Sequence, residues 1–380
     1  TLGSGNLTLA DITVTAASTI DVTGDTLTVD LIDVGGNTVT FNTAGLINNN
    51  FPIEINTSGT LSFQTAAGMV TGDIDFNGSG GLINTGVNST VGNINWFAPS
   101  NISINPGITL TADTLDLGAN KVSIGSGTLA NTGPVILNGD TLTFSGTTTI
   151  VNEIQNDSST SVLDVLGNVT MLNLTLNANL AMDIATGDTL FTDTVFVNTD
   201  TLNLVGPGVL SNAVPIEIGA SPGALTFSDS ATVGDIEING VGGGVNANAA
   251  IGIGTTGNID FLANGTIDVT IGDTLSVDSV FINGNTVTLK DGTIDNLVPI
   301  DFAGGSLNLD NVAVGDIDIY GNGTLSLIAS PASAGTIQMA GKGSISLSAQ
   351  TLTVDTLFVD NDTLTIASSG TINNLSSIPI

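Results

Sequence analysis

Apolar residues recur as an apolar-x-apolar pair about every 20 residues along the whole chain, a period typical of stacked repeats. The first member of the pair occurs 19 times at nearly even steps, and the second member is apolar at 18 of these positions, the exception being Asn156. The first members are Ile12, Ile32, Ile53, Ile74, Ile94, Leu115, Val135, Ile154, Leu174, Val195, Ile216, Ile236, Ile259, Val280, Ile300, Ile317, Ile337, Leu357 and Ile378. Such a pair is the two-residue alternation of a short strand with one buried face. Its return at a fixed period predicts one unit stacked many times, as in a parallel β-solenoid.

Two further columns of apolar residues follow the same period. A second alternating strand follows most first-column positions, with its apolar residues seven to nine residues after them, as in Thr38-Val39-Thr40-Phe41 and Thr286-Val287-Thr288-Leu289. Gly, Asn, Asp and Ser separate the columns and favour turns. The third column is weaker and contains Ile47, Val70, Ile108, Leu129, Ile294 and Ile372. The three columns together predict a three-sided coil.

A longer repeat of four coils is superimposed on the coil repeat. The pattern Thr-Leu-x-x-Asp-x-apolar-x-apolar begins at Thr26, Thr109, Thr189, Thr274 and Thr351, so that each occurrence follows the last by four coils. The following coils open with Pro, then often with Gly-Asp-Ile, and then with Gly-Asn-Ile at two places. The sequence therefore predicts a superrepeat of about 80 residues, with residues 145–185 as its least regular part.

We therefore predict an all-β fold: a single-stranded parallel β-helix of about 19 coils, running as one continuous solenoid over residues 1–380. Right-handed coiling is expected because β-crossover-β connections take that hand. Coils stacked at ~4.8 Å would give a rod of roughly 90 Å. Neither end carries a polar capping pattern, so we expect a segment of a longer chain or fibre.

Composition excludes several classes of function. The chain has no Cys, His or Arg; its cations are Lys121, Lys290 and Lys342, and 35 acidic residues give a formal charge of −32. The usual nucleophile–base pairs and zinc ligand sets are therefore missing. Nucleic acid is excluded as a partner because the charge repels phosphate. The sequence contains no run of about 18 apolar residues, the length that would predict a membrane span.

Acidic residues occupy the position between the two apolar residues of the first column, which faces outward. In a parallel stack these side chains lie ~4.8 Å apart. This arrangement predicts either a solvated acidic face or sites for a hard cation such as Ca²⁺. The candidate residues are Asp33, Glu54, Asp75, Glu217, Glu237, Asp260, Asp301 and Asp318, together with Asn95 and Asp116 in the same column.

Aromatic residues fall in two environments. Phe196, Phe281 and Phe358 take the outward first-column position in three of the Thr-Leu-x-x-Asp coils. They are candidate contact residues for a partner or a neighbouring copy, unless a loop covers each of them. Phe76 and Trp96 take inward positions and are predicted to lie in the core, whereas Tyr320 is predicted to mark a turn.

Two alternatives to a structural role remain open. Outward Thr-x-Thr or Thr-x-Ser pairs at 38/40, 60/62, 141/143, 286/288, 324/326 and 363/365 resemble an ice-binding face, interrupted by Lys121, Asn203, Asp268 and Asn308. Carboxylates on neighbouring coils lie near the ~5 Å separation of a retaining glycosidase pair, so a polysaccharide hydrolase is the second alternative.

The short coils rich in Gly, Asn, Thr and Asp, the missing Cys and the scarce cations resemble secreted bacterial β-helix surface proteins. The filamentous-haemagglutinin type and autotransporter passenger domains are the families concerned, and the resemblance is one of period and composition. It implies an extracellular, non-catalytic rod that adheres, spaces or assembles. Its expected partners are further copies of the chain or a host, matrix or cell-surface component.

Overall fold

The chain folds into β-strands throughout the part that the structure describes. The computed structural model describes residues 5–22, 24–42, 45–64, 69–70, 72–150, 152–248, 253–360, 366–367 and 370–376. Every regular element within these residues is a strand. The strands stack in parallel as a β-solenoid of about 17 turns, which confirms the predicted fold class. The predicted number of 19 includes Ile378, which lies outside the described residues.

The chain divides into two compact units, Thr1–Asp193 and Thr194–Ile380. The strands of the first unit, the last of which continues into the second, are β1 (Leu7–Thr13), β2 (Ser18–Ile20), β3 (Thr26–Asp33), β4 (Thr38–Phe41), β5 (Leu46–Asn49), β6 (Ile53–Ile55), β7 (Thr60–Phe63), β8 (Met69–Val70), β9 (Ile74–Phe76), β10 (Gly81–Thr85), β11 (Ser89–Thr90), β12 (Ile94–Trp96), β13 (Ser100–Ile104), β14 (Thr109–Ala112), β15 (Leu115–Asp116), β16 (Lys121–Ile124), β17 (Gly127–Asn131), β18 (Val135–Leu137), β19 (Thr141–Phe144), β20 (Thr148–Ile150), β21 (Glu153–Asn156), β22 (Ser161–Val165), β23 (Val169–Leu176), β24 (Leu180–Ile184) and β25 (Thr189–Val197).

The second unit repeats the same three-strand coil. Its strands are β26 (Thr201–Leu204), β27 (Val209–Asn212), β28 (Ile216–Ile218), β29 (Ala224–Phe227), β30 (Thr232–Val233), β31 (Ile236–Ile238), β32 (Gly243–Ala247), β33 (Ile253–Thr256), β34 (Ile259–Phe261), β35 (Gly265–Val269), β36 (Thr274–Val277), β37 (Val280–Ile282), β38 (Thr286–Lys290), β39 (Thr293–Asn296), β40 (Ile300–Phe302), β41 (Ser306–Asp310), β42 (Ala313–Val314), β43 (Ile317–Tyr320), β44 (Thr324–Ala329), β45 (Ala332–Ala340), β46 (Ser344–Ser346), β47 (Thr351–Val359), β48 (Ile366–Ala367) and β49 (Thr371–Asn374). No helix in the described part of the chain is long and apolar enough to cross a membrane.

The apolar pairs of the first column stack directly over one another. The paired rungs run Ile53–Ile74–Ile94 in the first unit and Ile216–Ile236–Ile259 in the second. Every predicted first-column position from Ile12 to Leu357 lies in a strand. The second-column and third-column strands form parallel ladders of their own, such as β4–β7–β10 and β14–β17–β20. The three-sided coil is thus present in each unit.

Inward side chains form a narrow apolar core. From Ile32 to Leu357 each first member of the pair is at most 1 % exposed, and only Ile12 in the first described coil is half-buried. Phe76 and Trp96 are buried and stack with ring centroids 5.3 Å apart, which confirms their predicted core position. Burial of apolar surface on this scale stabilises a fold by about 25 cal/mol per Å².

The irregular segment 145–185 keeps the register of its neighbours. Ile154 pairs with Val135 on one side and with Leu174 on the other. Asn156 is fully buried at an inward position, where its Nδ2 donates hydrogen bonds to the carbonyls of Ala178 and Asn179 at 2.8 and 3.0 Å. The one polar residue in the column is therefore satisfied by the backbone of the next coil.

Two local predictions were wrong. Ile108 was predicted to be the inward third-column residue of its coil, but it precedes the strand and is half-buried. The inward residue of this coil is Leu110, which is buried and pairs with Leu129. Tyr320 ends strand β43, and the turn follows at Gly321, whose φ of +62° suits glycine. Among the other third-column positions, Ile372 is half-buried, and the environment of the Val70 side chain lies outside what is described.

The Thr-Leu-x-x-Asp pattern lies where the third column turns into the first. In β3, β25 and β47 the chain passes this corner as one continuous strand. At Thr109 and Thr274 the same pattern is split into two strands, β14 with β15 and β36 with β37. The pattern is therefore compatible with both forms of the corner, and β23 and β45 pass it as one strand without the pattern.

A ladder of Asn and Asp side chains lines the same corner, and we call it the corner ladder. The Oδ1 of Asn49 accepts a hydrogen bond from the backbone N–H of Gly72 at 2.6 Å. Asn212 and Asn296 accept the equivalent bonds from Gly234 and Gly315 at 2.9 and 2.7 Å. Each of these Asn residues thus ties the coil that carries Asn to the next one.

The next members of the corner ladder are aspartates, and they explain the glycines of the superrepeat. Asp73 accepts a hydrogen bond from the backbone N–H of Asn93 at 2.8 Å, and Asp235 accepts one from Asn258 at 2.8 Å. A Cβ atom at Gly257 would lie 2.2 Å from Asp235 Oδ1. A larger residue there would displace the Asp235 carboxylate from its hydrogen bond, which gives Gly-Asp-Ile followed by Gly-Asn-Ile a physical cause.

Candidate binding surface on the first column

The outward side chains of the first column form a ladder that we call the first-column face. In the first unit its rungs include Asp33, Glu54, Asp75, Asn95 and Asp116, after which the ladder continues with the uncharged Ile136, Gln155 and Thr175. In the second unit they are Phe196, Glu217, Glu237, Asp260, Phe281, Asp301, Asp318, Gln338 and Phe358. Each predicted candidate residue thus lies in a rung paired with the one before or after it.

Amide side chains hold the carboxylates of the first unit. Asn95 Nδ2 donates a hydrogen bond to Asp75 Oδ1 at 2.8 Å. Asn56 donates to Asp33 at 2.9 Å from the next coil, where it follows the second apolar residue of the pair. The outward carboxylates therefore lie in fixed positions and are half-buried rather than fully splayed into solvent.

Neutral hydrogen-bond donors also hold carboxylates of the second unit. Asn283 Nδ2 donates to Asp260 Oδ1, and Tyr320 Oη donates to Asp318 Oδ2 at 3.1 Å. Burial is the main cause that raises the pKa of Asp260; the bond from Asn283 opposes it and the charge of Glu237 adds to it. Burial, followed by the charge of Asp318, also raises the pKa of Asp301. These carboxylates lie in an environment that disfavours their own charge.

Three phenylalanines occupy rungs of the second unit, and one of them lies between acidic rungs. Phe281 pairs with Asp260 on one side and with Asp301 on the other. Phe196 pairs with Glu217, and Phe358 pairs with Gln338. The three rings recur every four coils, about 19 Å apart. Phe358 is 39 % exposed, so its ring is open to solvent.

Cations are scarce around this face. All three lysines lie elsewhere: Lys121 and Lys290 in second-column strands and Lys342 after β45. Lys290 Nζ lies 2.9 Å from Asp268 and 3.5 Å from Asp291. Within the described residues, no three acidic side chains come close enough together to hold a metal ion. Calcium binding stays a prediction.

Hydroxyl and amide groups dominate the second-column face in part of the second unit. Four successive coils carry such residues at both outward positions: Thr286 and Thr288, Ser306 and Asn308, Thr324 and Ser326, Ser344 and Ser346. The Oγ atoms of Thr324 and Ser344 lie 3.1 Å apart and share a hydrogen bond. Thr363 and Thr365 lie outside the described residues. The four-coil part of the predicted Thr arrays is thus a short hydroxyl-bearing stack that bonds partly to itself, whereas in the predicted pair 60/62 of the first unit Ser62 is buried.

Concave features in the described surface are shallow. One, of about 240 Å³, lies against the third column of the second unit, where Asp278, Asp295 and Leu297 form part of its lining. Both carboxylates belong to exposed residues. Two acids thus line the same hollow.

Asp140 is a site residue that the sequence did not single out. Asp140 lies at the corner between the first and second columns and is 3 % exposed. Its Oδ2 accepts a hydrogen bond from the Asn138 N–H at 3.2 Å. Its Oδ1 is buried and has no side-chain or backbone partner within hydrogen-bond geometry. Burial, with a smaller contribution from the charge of Asp116, raises the pKa of Asp140 to about 6. Its tetrapeptide Gly-Asp-Thr-Leu also occurs at Gly24, Gly187 and Gly272, so the local sequence did not distinguish the four positions.

Comparison with known proteins gives no relative for this chain: no protein-family model matches it, and neither does a curated protein or a solved structure.

Proposed function

We propose that this chain is a structural and adhesive protein of the cell exterior without catalytic activity. The stacked coils provide a stiff support, and the outward faces provide the surfaces that bind a partner or another copy. The observation that carries the proposal is the unbroken register of the first column within each unit, because it presents one residue position at a regular ~4.8 Å interval.

Composition supports the same proposal. The chain has no Cys or His to supply the usual nucleophile or base. With three Lys and no Arg, it also offers few cleavage sites to trypsin-like proteases, which suits exposure outside the cell. The resemblance to secreted β-helix surface proteins supports the location.

The location is tested by labelling intact producing cells with an antibody against the chain, with permeabilised cells as the control. We expect labelling without permeabilisation. Purified chain should adhere to the same cells or to extracellular matrix, and negative-stain microscopy should show filaments if copies assemble. Label confined to permeabilised cells, together with absence of adhesion, would contradict the proposal.

Ice binding is the second candidate, favoured by the four-coil hydroxyl stack that starts at Thr286. Its test is thermal hysteresis of the purified chain, with Thr288→Lys and Ser326→Lys as variants that break the stack. Hysteresis that the variants abolish would favour ice binding over adhesion. Release of reducing sugar from polysaccharides, lost in Asp278→Asn, would favour the hydrolase.

A further inference from the structure

We propose that the first-column face of the second unit binds an arginine-rich segment of a partner protein. The inference deepens the adhesive role proposed above and rests on it, since it names the class of partner. The segment would lie along the rungs from Glu217 to Phe358, with guanidinium groups against carboxylates and phenylalanine rings.

Charge is the first argument. Glu217, Glu237 and Asp260 occupy three adjacent rungs, and Asp301 and Asp318 occupy two more. Like charges at ~4.8 Å repel, and burial of these half-buried groups strengthens the repulsion. The three lysines lie away from this face and do not relieve it. A cationic partner supplies the missing charge.

The aromatic rungs decide which cation fits. Phe281 lies between Asp260 and Asp301, so a group bound there meets a ring with a carboxylate on each side. A guanidinium group stacks on an aromatic face and can also donate two parallel hydrogen bonds to a carboxylate, because its donors form a planar fork. An ammonium group is a strongly hydrated point charge and gains less from the ring.

Fixed carboxylates support the same assignment. Asn283 holds the Asp260 carboxylate and Tyr320 holds that of Asp318, so both are positioned before a partner arrives. Positioned groups lose less freedom on binding. Since no three acids converge within the described residues, the face suits cations arriving one by one along a chain better than a single divalent ion.

A matched control lies in the first unit. Asp164 and Asp183 are paired in adjacent second-column rungs, and the charge of Lys121 acts on Asp164. Like the acids of the first-column face, Asp164 and Asp183 lie in stacked rungs. Asp164 pairs directly with Thr143 and Asp183, so neither of its neighbouring rungs carries an aromatic ring. Neutralising both removes the same charge from the chain as neutralising Asp260 and Asp301.

The experiment measures fluorescence anisotropy of labelled octa-arginine and octa-lysine with the purified full chain at low and physiological salt. We expect octa-arginine to bind at least about three-fold more tightly than octa-lysine. Phe281→Leu should weaken octa-arginine binding about two- to five-fold and leave octa-lysine unchanged. Asp260→Asn with Asp301→Asn should weaken both peptides by about ten-fold at low salt, and Asp164→Asn with Asp183→Asn by much less.

Three outcomes would overturn the inference in favour of general attraction to an acidic surface. They are equal affinity for octa-arginine and octa-lysine, no effect of Phe281→Leu on octa-arginine binding, or an equal loss of affinity in the two double variants. Complete displacement of octa-arginine by millimolar Ca²⁺ at matched ionic strength would assign the face to divalent ions instead. If Phe281→Leu alters the melting curve, Phe281→Met, which also removes the ring, replaces it. Because the assay uses purified chain, failed peptide binding leaves the cell-surface experiment intact.

Discussion

At the scale of single residues, the polar groups that point inward differ in how well they are satisfied. Asn156 finds two backbone carbonyls in the next coil, whereas Trp96 Nε1 and Asp140 Oδ1 are buried without a hydrogen-bond partner. An unsatisfied buried group costs about 1–3 kcal/mol. Trp96 offsets this cost by the apolar area of its ring. At Asp140 the backbone hydrogen bonds, such as that from the Asn138 N–H, offset only part of the cost of burying the charge.

Asp140→Asn should therefore stabilise the chain at neutral pH. The pKa of about 6 in the folded state lies above the ordinary value of 3.8, so the native state binds the proton more tightly than the unfolded chain does. The stability this gives is present in acid and is lost as pH rises through about 6. We expect Asn to raise the free energy of unfolding by about 1–2 kcal/mol at pH 7.5 and by about half as much at pH 5.

Thermal unfolding between pH 5 and pH 8, followed by circular dichroism, checks this expectation. Asp188→Asn is the control, since Asp188 occupies the same tetrapeptide at a half-buried position. A gain that is the same at pH 5 as at pH 7.5 would show that burial of charge at Asp140 is not its cause.

At the scale of the strand, stability depends on each rung having a neighbour above and below. Ile236 in β31 is 1 % exposed and pairs with Ile216 and Ile259. Ile236→Asp would place a charge in the core with no partner. The cost should exceed about 4 kcal/mol, enough to open the adjacent coils.

Hydrogen exchange read by mass spectrometry locates the effect of Ile236→Asp. We expect faster exchange in β28, β31 and β34 and new sites of proteolysis there. Glu237→Gln, at the neighbouring outward position, should leave the exchange pattern unchanged. Equal protection in both variants would mean that the side chain of Ile236 contributes little to the core.

The corner ladder makes a second prediction at this scale. Gly257→Ala should destabilise the second unit by about 1–3 kcal/mol, because its Cβ would overlap Asp235 Oδ1. Gly304→Ala is the control, since the nearest atom to its Cβ would be 4.0 Å away. Thermal melts of the two variants should differ, and equal melts would show that the Asp235 side chain can move aside without loss.

The sequence predicted the ladder of each column because a two-residue alternation repeated at a short, fixed period leaves few other folds. It did not predict the corner ladder, although Gly-Asp-Ile and Gly-Asn-Ile were visible, since a side chain bonding to the coil above depends on coordinates rather than on spacing. The choice of Ile108 over Leu110 failed for a related reason: both are apolar, and the position of the strand start decides which one points inward. Asp140 was missed because its tetrapeptide occurs at two different corners.

At the scale of the whole molecule, charge is the dominant unfavourable feature. A formal charge of −32 on 380 residues with three lysines makes the folded chain repel itself. Salt screens such repulsion over about 10 Å at 0.1 M. We expect the melting temperature to rise by several degrees between about 10 and about 300 mM NaCl.

The response of the melting temperature to Ca²⁺ distinguishes specific ion binding from general screening of the negative charge. If the acid ladders hold this ion, millimolar Ca²⁺ should raise the melting temperature beyond NaCl of equal ionic strength, and EDTA should reverse the gain. Asp75→Asn in the first unit and Asp301→Asn in the second test which ladder is responsible. An identical response to Ca²⁺ and ionic-strength-matched NaCl would remove calcium as a ligand.

The corner ladder also bears on how such a gene can change in length. Asn212 and Asn296 make the same bonds to the following coil, one superrepeat apart. A block bounded by two such corners offers matching donors and acceptors at its two ends. Unequal crossing-over between blocks would add or delete one without creating a mismatched junction, whereas an insertion of a single residue within a strand would turn its inward side chains outward. We therefore expect related genes to differ by whole blocks.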